Sequence, residues 1–171
     1  MYNEFTVNLI KAAEQMLAFH DKAHELTHKL ENENVSRVVW FVGISGFAIL
    51  NMPNVFSDKS SLTFLDFLPW ILTVIFGVMA HWSHRNVSIE NYSFFIAKRE
   101  SLMSFILGGA NNATHKKFEE IMLNKTDVLQ DVSKKLDRAS GYASQLERLT
   151  FLSFLAGLLL FVSKYMAQVL Q

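Results

Sequence analysis

The sequence predicts an all-α integral membrane protein with three transmembrane helices and a cytoplasmic bundle of long helices, and three observations carry that reading. Half of the 171 residues are hydrophobic, 15 of them Phe, and they are clustered rather than spread. The clusters Val38 to Phe56, Leu62 to Trp82 and Leu149 to Leu170 are each about 20 residues long, as a hydrocarbon layer of about 30 Å requires. Finally, Phe118, Met122, Lys125, Leu129, Val132, Leu136, Ala139, Ala143, Leu146, Thr150, Ser153, Gly157, Leu160, Lys164 and Ala167 follow alternating steps of four and three. That is a heptad seam, the pattern of a helix that holds a partner along its length.

The rest of the composition narrows the function classes. Formal net charge is zero, which argues against nucleic acid as a partner. There is no Cys, so disulfides and thiolate metal sites are excluded. MYNEFTVNLIKAAEQ has no continuous apolar run behind a basic start, so no cleavable signal peptide is expected and the first span serves as its own targeting signal. Lys and Arg crowd the flanks at Lys22, Lys29, Arg37, Arg85, Lys98, Arg99, Lys134, Lys135, Arg138 and Arg148, with Lys59 alone in the loop between spans one and two. The positive-inside rule then puts the N-terminus and 83–148 in the cytoplasm, and the short hairpin loop and C-terminus outside.

In chain order, residues 2–34 read as a cytoplasmic amphipathic helix, with Phe5, Leu9, Ala12, Ala13, Met16 and His20 on its apolar face. The polar run Glu31-Asn32-Glu33-Asn34 with Ser36 is expected to break or cap it. Residues 38–82 form a transmembrane hairpin, where Gly43, Ser45 and Gly46 in span one and Gly77 with Ala80 in span two allow close helix packing. The hairpin turns at Asn51-Met52-Pro53-Asn54 and 57–61, with a Ser placed to cap span two. Span two continues as helix to about Leu107, where Gly108-Gly109 stops it and Asn111, Asn112 or Thr114 caps the next helix. That helix returns along the seam as one piece from Phe118 through 149–170, the third span. No repeat or low-complexity tract is present, and the chain reads as one continuous unit.

Three constellations are candidates for chemistry. His20, His24 and His28 lie four apart on a helix, a spacing at which two imidazoles chelate a transition metal. The same series also suits a pH sensor or ordinary packing, and no carboxylate at chelating spacing completes a ligand set, so no cofactor is expected. In span three, Thr150, Ser153, Gly157 and Lys164 form a small and polar stripe, which either lines an aqueous path between several copies or packs against the other spans. Lys164 has two further readings: snorkelling to the outer interface, or pairing with Asp66 at the same level. No phosphate loop, nucleophile elbow or paired carboxylates support an enzyme.

The order of a cytoplasmic helix, a tight two-span hairpin from Val38 to Trp82 and long helices opening on His84-Arg85-Asn86 resembles the SLATT group. These are two-transmembrane effectors of bacterial nucleotide-signalling and anti-phage systems. The resemblance covers roughly 5–148, is one of architecture, and transfers no residue. It implies a membrane-permeabilising effector held closed until a protein or signal acts. Two function classes are therefore expected: an oligomeric gated pore controlled through its cytoplasmic bundle, or a non-conducting anchor, accessory or immunity protein that binds a partner. Membrane lipid, further copies of the chain and a cytoplasmic partner or signal are the expected contacts.

Overall fold

The structure is a computed structural model that describes residues 4–56, 62–108 and 114–170. Helix takes up 94% of these residues, and no strand occurs among them. The elements are α1 (Glu4–Val55), α2 (Phe64–Leu107), α3 (His115–Met122) and α4 (Asp127–Val169). Three helices are long and apolar enough to cross a membrane, in the segments Thr6–Val55, Phe64–Leu107 and His115–Val169.

Two element boundaries differ from the sequence reading. The amphipathic helix and span one are a single 52-residue helix, unbroken at Glu31-Asn34. That run is polar but holds neither Gly nor Pro, and polar residues alone do not stop a helix. Glu31 is engaged by α2, accepting hydrogen bonds from Ser88 Oγ at 2.8 Å and Asn91 Nδ2 at 3.1 Å.

The seam helix, conversely, is two helices. α3 ends in a Schellman turn at Asn124, whose φ of 55° is the left-handed conformation that Asn tolerates better than most residues. Asn124 N–H donates to Ile121 O at 3.2 Å and Lys125 N–H to Glu120 O at 2.8 Å, the paired bonds of that motif.

Other boundaries match. α2 ends at Leu107 beside Gly108, and Thr114 caps α3, its side chain accepting from Lys117 N–H. The expected Ser cap of span two lies outside the described residues, as do Gly109, Asn111 and Asn112. Within them, Thr63 precedes α2, and Asp66 Oδ2 accepts from the Thr63 N–H at 2.6 Å and its hydroxyl at 2.9 Å, the side-chain-to-backbone half of a capping box.

Contacts divide the chain into two compact units. The first comprises Met1–Glu31 and Asn86–Ala139, the second Asn32–Arg85 and Ser140–Gln171. In the first unit Leu9, Ala13, Leu102, Phe105, Ile121 and Leu129 form the core. The second has two clusters: Met52, Phe56, Trp70 and Phe154, and Val38, Ala80 and Leu146. The seam positions Leu129, Ala143, Leu146, Thr150 and Gly157 are buried against helices of the same chain.

Candidate functional site

The polar positions of the second unit are the first candidates, because an unsatisfied polar group in an apolar segment is costly. Thr150 is fully buried, and its hydroxyl donates to Leu146 O one turn back at 2.8 Å. Thr73 does the same on α2, donating to Pro69 O at 2.8 Å. Ser153 is half-buried and Gly157 buried. A Cβ at Gly157 would stand 2.8 Å from the Trp70 indole, so the glycine is the space that the ring occupies.

Gly77 has the same use: its missing Cβ admits the Val42 side chain, with Thr150 Cγ2 at 3.5 Å. Ala80 is fully buried next to Val38 and Leu146. Gly43 and Gly46 differ. Nothing lies within 4 Å of a Cβ at either among the described residues, so within this protomer neither glycine is filled by another span. The reason is rotational: α1 turns Val38, Ser45 and Met52 inward, at steps of seven, and Gly43 lies on another side.

Lys164 is joined to Asp66, with Nζ 2.5 Å from Oδ2. One carboxylate thus receives the Thr63 cap bonds and the ammonium from α4, so the start of α2 is tied to the end of α4. At the opposite end of the second unit, buried His84 points Nε2 at Glu147 at 3.7 Å.

In the first unit His20 and His24 of the series are taken up by aromatic packing. His20 and His24 both stack on Phe95, with ring centroids 5.0 and 4.1 Å apart. His20 Nε2 also lies 3.3 Å from Phe95 O. Burial pushes the His20 pKa below its ordinary value, opposed by the bond to Phe95 and reinforced by the Lys98 charge. Among the described residues no group of three or more His, Cys, Asp or Glu is arranged to hold a metal ion.

The residue that sequence reasoning missed is Lys98, counted there only as a flanking charge. It is buried, and its ammonium donates to Met122 O at 3.2 Å, to Asn124 Oδ1 at 2.6 Å and to Ile121 O. It caps the C-terminus of α3, where the carbonyls are otherwise orphaned and the helix dipole is negative. Burial lowers its pKa. Its one sequence signal was a lysine amid Phe94, Phe95, Ile96 and Ala97 in the apolar stretch before α2 ends.

Comparison with protein-family models, with curated proteins and with solved structures finds no match.

Proposed function

We propose that this chain is an integral membrane protein that works as a non-conducting anchor or accessory protein, binding a partner through its more polar helical unit. The support is the state of the span-three stripe. Thr150 is satisfied by its own helix, Gly157 is filled by Trp70 and Lys164 is paired with Asp66, so three of the four stripe positions are engaged within one protomer. A pore assembled from several copies needs such groups turned towards a shared axis.

In this reading the second unit lies in a bacterial inner membrane, with the first unit and the N-terminus in the cytoplasm, as the Lys and Arg distribution favours. The partner surface in this reading is the cytoplasmic unit. The test is ion leak from liposomes holding the purified protein beside a Lys164→Ala version. Sealed vesicles in both cases are expected, with expression tolerated by cells. Leak whose size or ion preference changes with Lys164→Ala would overturn the reading.

One observation favours the gated-pore reading as the alternative. α1, α2 and α4 each have residues in both units without interruption, which is the mechanical link that an effector controlled from its cytoplasmic side would use. Under that reading the Asp66–Lys164 pair breaks on opening, and Lys164→Ala alone produces leak.

A further inference from the structure

Where the charged residues of the second unit begin, α1 and α4 leave a crevice of about 410 Å³ lined by Arg37, Phe41, Ser144, Glu147, Arg148 and Phe151. Its chemistry is graded along the helices. Phe41 and Phe151 meet with ring centroids 5.8 Å apart and form an apolar floor. Arg37 stands four residues before Phe41 and Arg148 three before Phe151, so both guanidiniums belong to the turn above that floor, on its charged side.

The charges in this crevice are not balanced. Arg37 donates to the Asn34 amide oxygen, a neutral partner. Arg148 makes no hydrogen bond or ion pair among the described residues. Glu147 contributes the one carboxylate, and His84 stands 3.7 Å from it. Two planar forks and the Ser144 hydroxyl are thus available to a ligand with several acceptor oxygens and negative charge, and guanidinium matches phosphate in a bidentate manner. A soluble anion would use the guanidiniums and leave the phenyl floor uncovered. Beyond that floor the faces of both helices stay apolar and exposed, at Ile44 and Phe47 on α1 and Leu152 and Leu155 on α4.

We propose that this crevice binds an anionic phospholipid, with Arg37 and Arg148 on its phosphate, Ser144 donating to the headgroup and an acyl chain running over Phe41 and Phe151. The proposal rests on the second unit being membrane-embedded. Basic pockets between spans at the cytoplasmic boundary recognise acidic headgroups by the same chemistry. The site makes the anchor selective for acidic membrane and pins the two helices at the boundary.

The experiment is native mass spectrometry of the full chain in detergent, titrated with phosphatidylglycerol, with phosphatidylcholine and with phosphatidylglycerol in the presence of inorganic phosphate. The wild type is expected to retain phosphatidylglycerol, with about five-fold weaker retention in Arg148→Gln and about thirty-fold in the Arg37→Gln/Arg148→Gln pair. Phosphatidylcholine binding should be equal in all three. Both arginines are exposed, and unchanged helicity by circular dichroism confirms that the variants fold. Equal phosphatidylglycerol retention in the double variant would overturn the site. Displacement by inorganic phosphate would overturn the lipid assignment in favour of a free anion. Carbonate extraction of native membranes tests the underlying reading by itself: release of the protein refutes membrane embedding, whereas carbonate-resistant protein with unchanged lipid retention refutes only the crevice.

Discussion

The two compact units contain parts of the same three long helices, and side chains reach across between those helices more often in the first than in the second. In the first unit side chains reach across between helices: Lys98 to the carbonyls closing α3, Glu31 to Ser88 and Asn91, Arg99 towards Asp21 at 4.0 Å. Hydroxyls turn back on their own helix in both units, Thr27 on Ala23, Ser93 on Ile89 and Ser101 on Ala97 in the first, and in the apolar part of the second Thr73 on Pro69 and Thr150 on Leu146, with the Asn51 amide on Phe47. The Asp66–Lys164 pair is the cross-helix exception there. Water satisfies whatever a helix surface leaves open, so cross-links there are chosen for register. A lipid surround would satisfy nothing, and in the second unit Ser45 Oγ and Trp70 Nε1 are buried without a hydrogen-bond partner among the described residues. If the second unit is membrane-embedded, as proposed, two solvents act on these continuous helices.

The largest effect that would break this comparison is a pair of core truncations. Phe105 is fully buried in the first unit, and Phe105→Ala is expected to cost about 3–5 kcal/mol through lost transfer energy and the cavity left behind. Trp70 is equally buried in the second. Lipid tails are as apolar as the core, so Trp70→Ala forfeits packing alone and should cost less than about half as much despite the larger ring. Hydrogen exchange in lipid bilayers, read separately over 86–107 and 64–85, gives both values. Equal costs would mean that the second unit is not surrounded by lipid.

Lys98→Met comes next. It keeps the volume and removes the donor to the last carbonyls of α3, with an expected loss of about 2–3 kcal/mol and of exchange protection in α3 first. The pH dependence has a definite sign. Burial holds the folded-state pKa of Lys98 below 10.5, so in the window just under 10.5 the unfolded chain binds more protons than the folded one, and stability rises with pH there. In Lys98→Met that rise disappears. If urea midpoints of the variant still climb over the same range, Lys98 is not the group responsible.

These positions also show what could be read from the sequence. Helix content, the end of α2 at Gly108 and the Thr114 cap follow from local chemistry, because a diglycine and an N-cap act within a few residues. The break at Asn124 was hidden, since no Gly or Pro marks it and the ammonium that stabilises it comes from Lys98, 26 residues earlier. The expected break at Glu31-Asn34 failed because the run holds neither Gly nor Pro, and Glu31 finds its partners on α2. Asp66 with Lys164 was legible as one of several options because both sit at one depth of their spans. The His series was visible as a spacing, but only the fold brings Phe95 between the competing readings.

The glycines sharpen the comparison inside one unit. On paper Gly43 and Gly157 belong to equivalent small-residue stripes. A Cβ at Gly157 meets the Trp70 ring, buried and hemmed in by Phe154, so Gly157→Ala should cost about 1–3 kcal/mol by overpacking. At Gly43 a Cβ meets nothing, and Gly43→Ala should stabilise the helix by about 0.5–1 kcal/mol. Thermal melts in the same detergent separate the two. A destabilising Gly43→Ala would place a second helix against α1 there, from another copy of the chain.

The smallest effect belongs to His20, and it tests whether the imidazole series is packing or chemistry. Burial lowers its folded-state pKa below 6.5, the Phe95 carbonyl and Asp21 oppose this, and Lys98 and His24 reinforce it. The unfolded chain therefore binds more protons just below 6.5, and stability falls as the pH drops through that value towards the lowered folded pKa. The half-exposed ring keeps the contribution under about 1 kcal/mol. Melting temperatures between about pH 5 and 7.5 should show a shallow acid-side loss, which His20→Gln flattens. A chelator should leave both profiles unchanged, because stacking on Phe95 accounts for the ring without a metal. A chelator-dependent melting temperature would instead make His20 and His24 ligands.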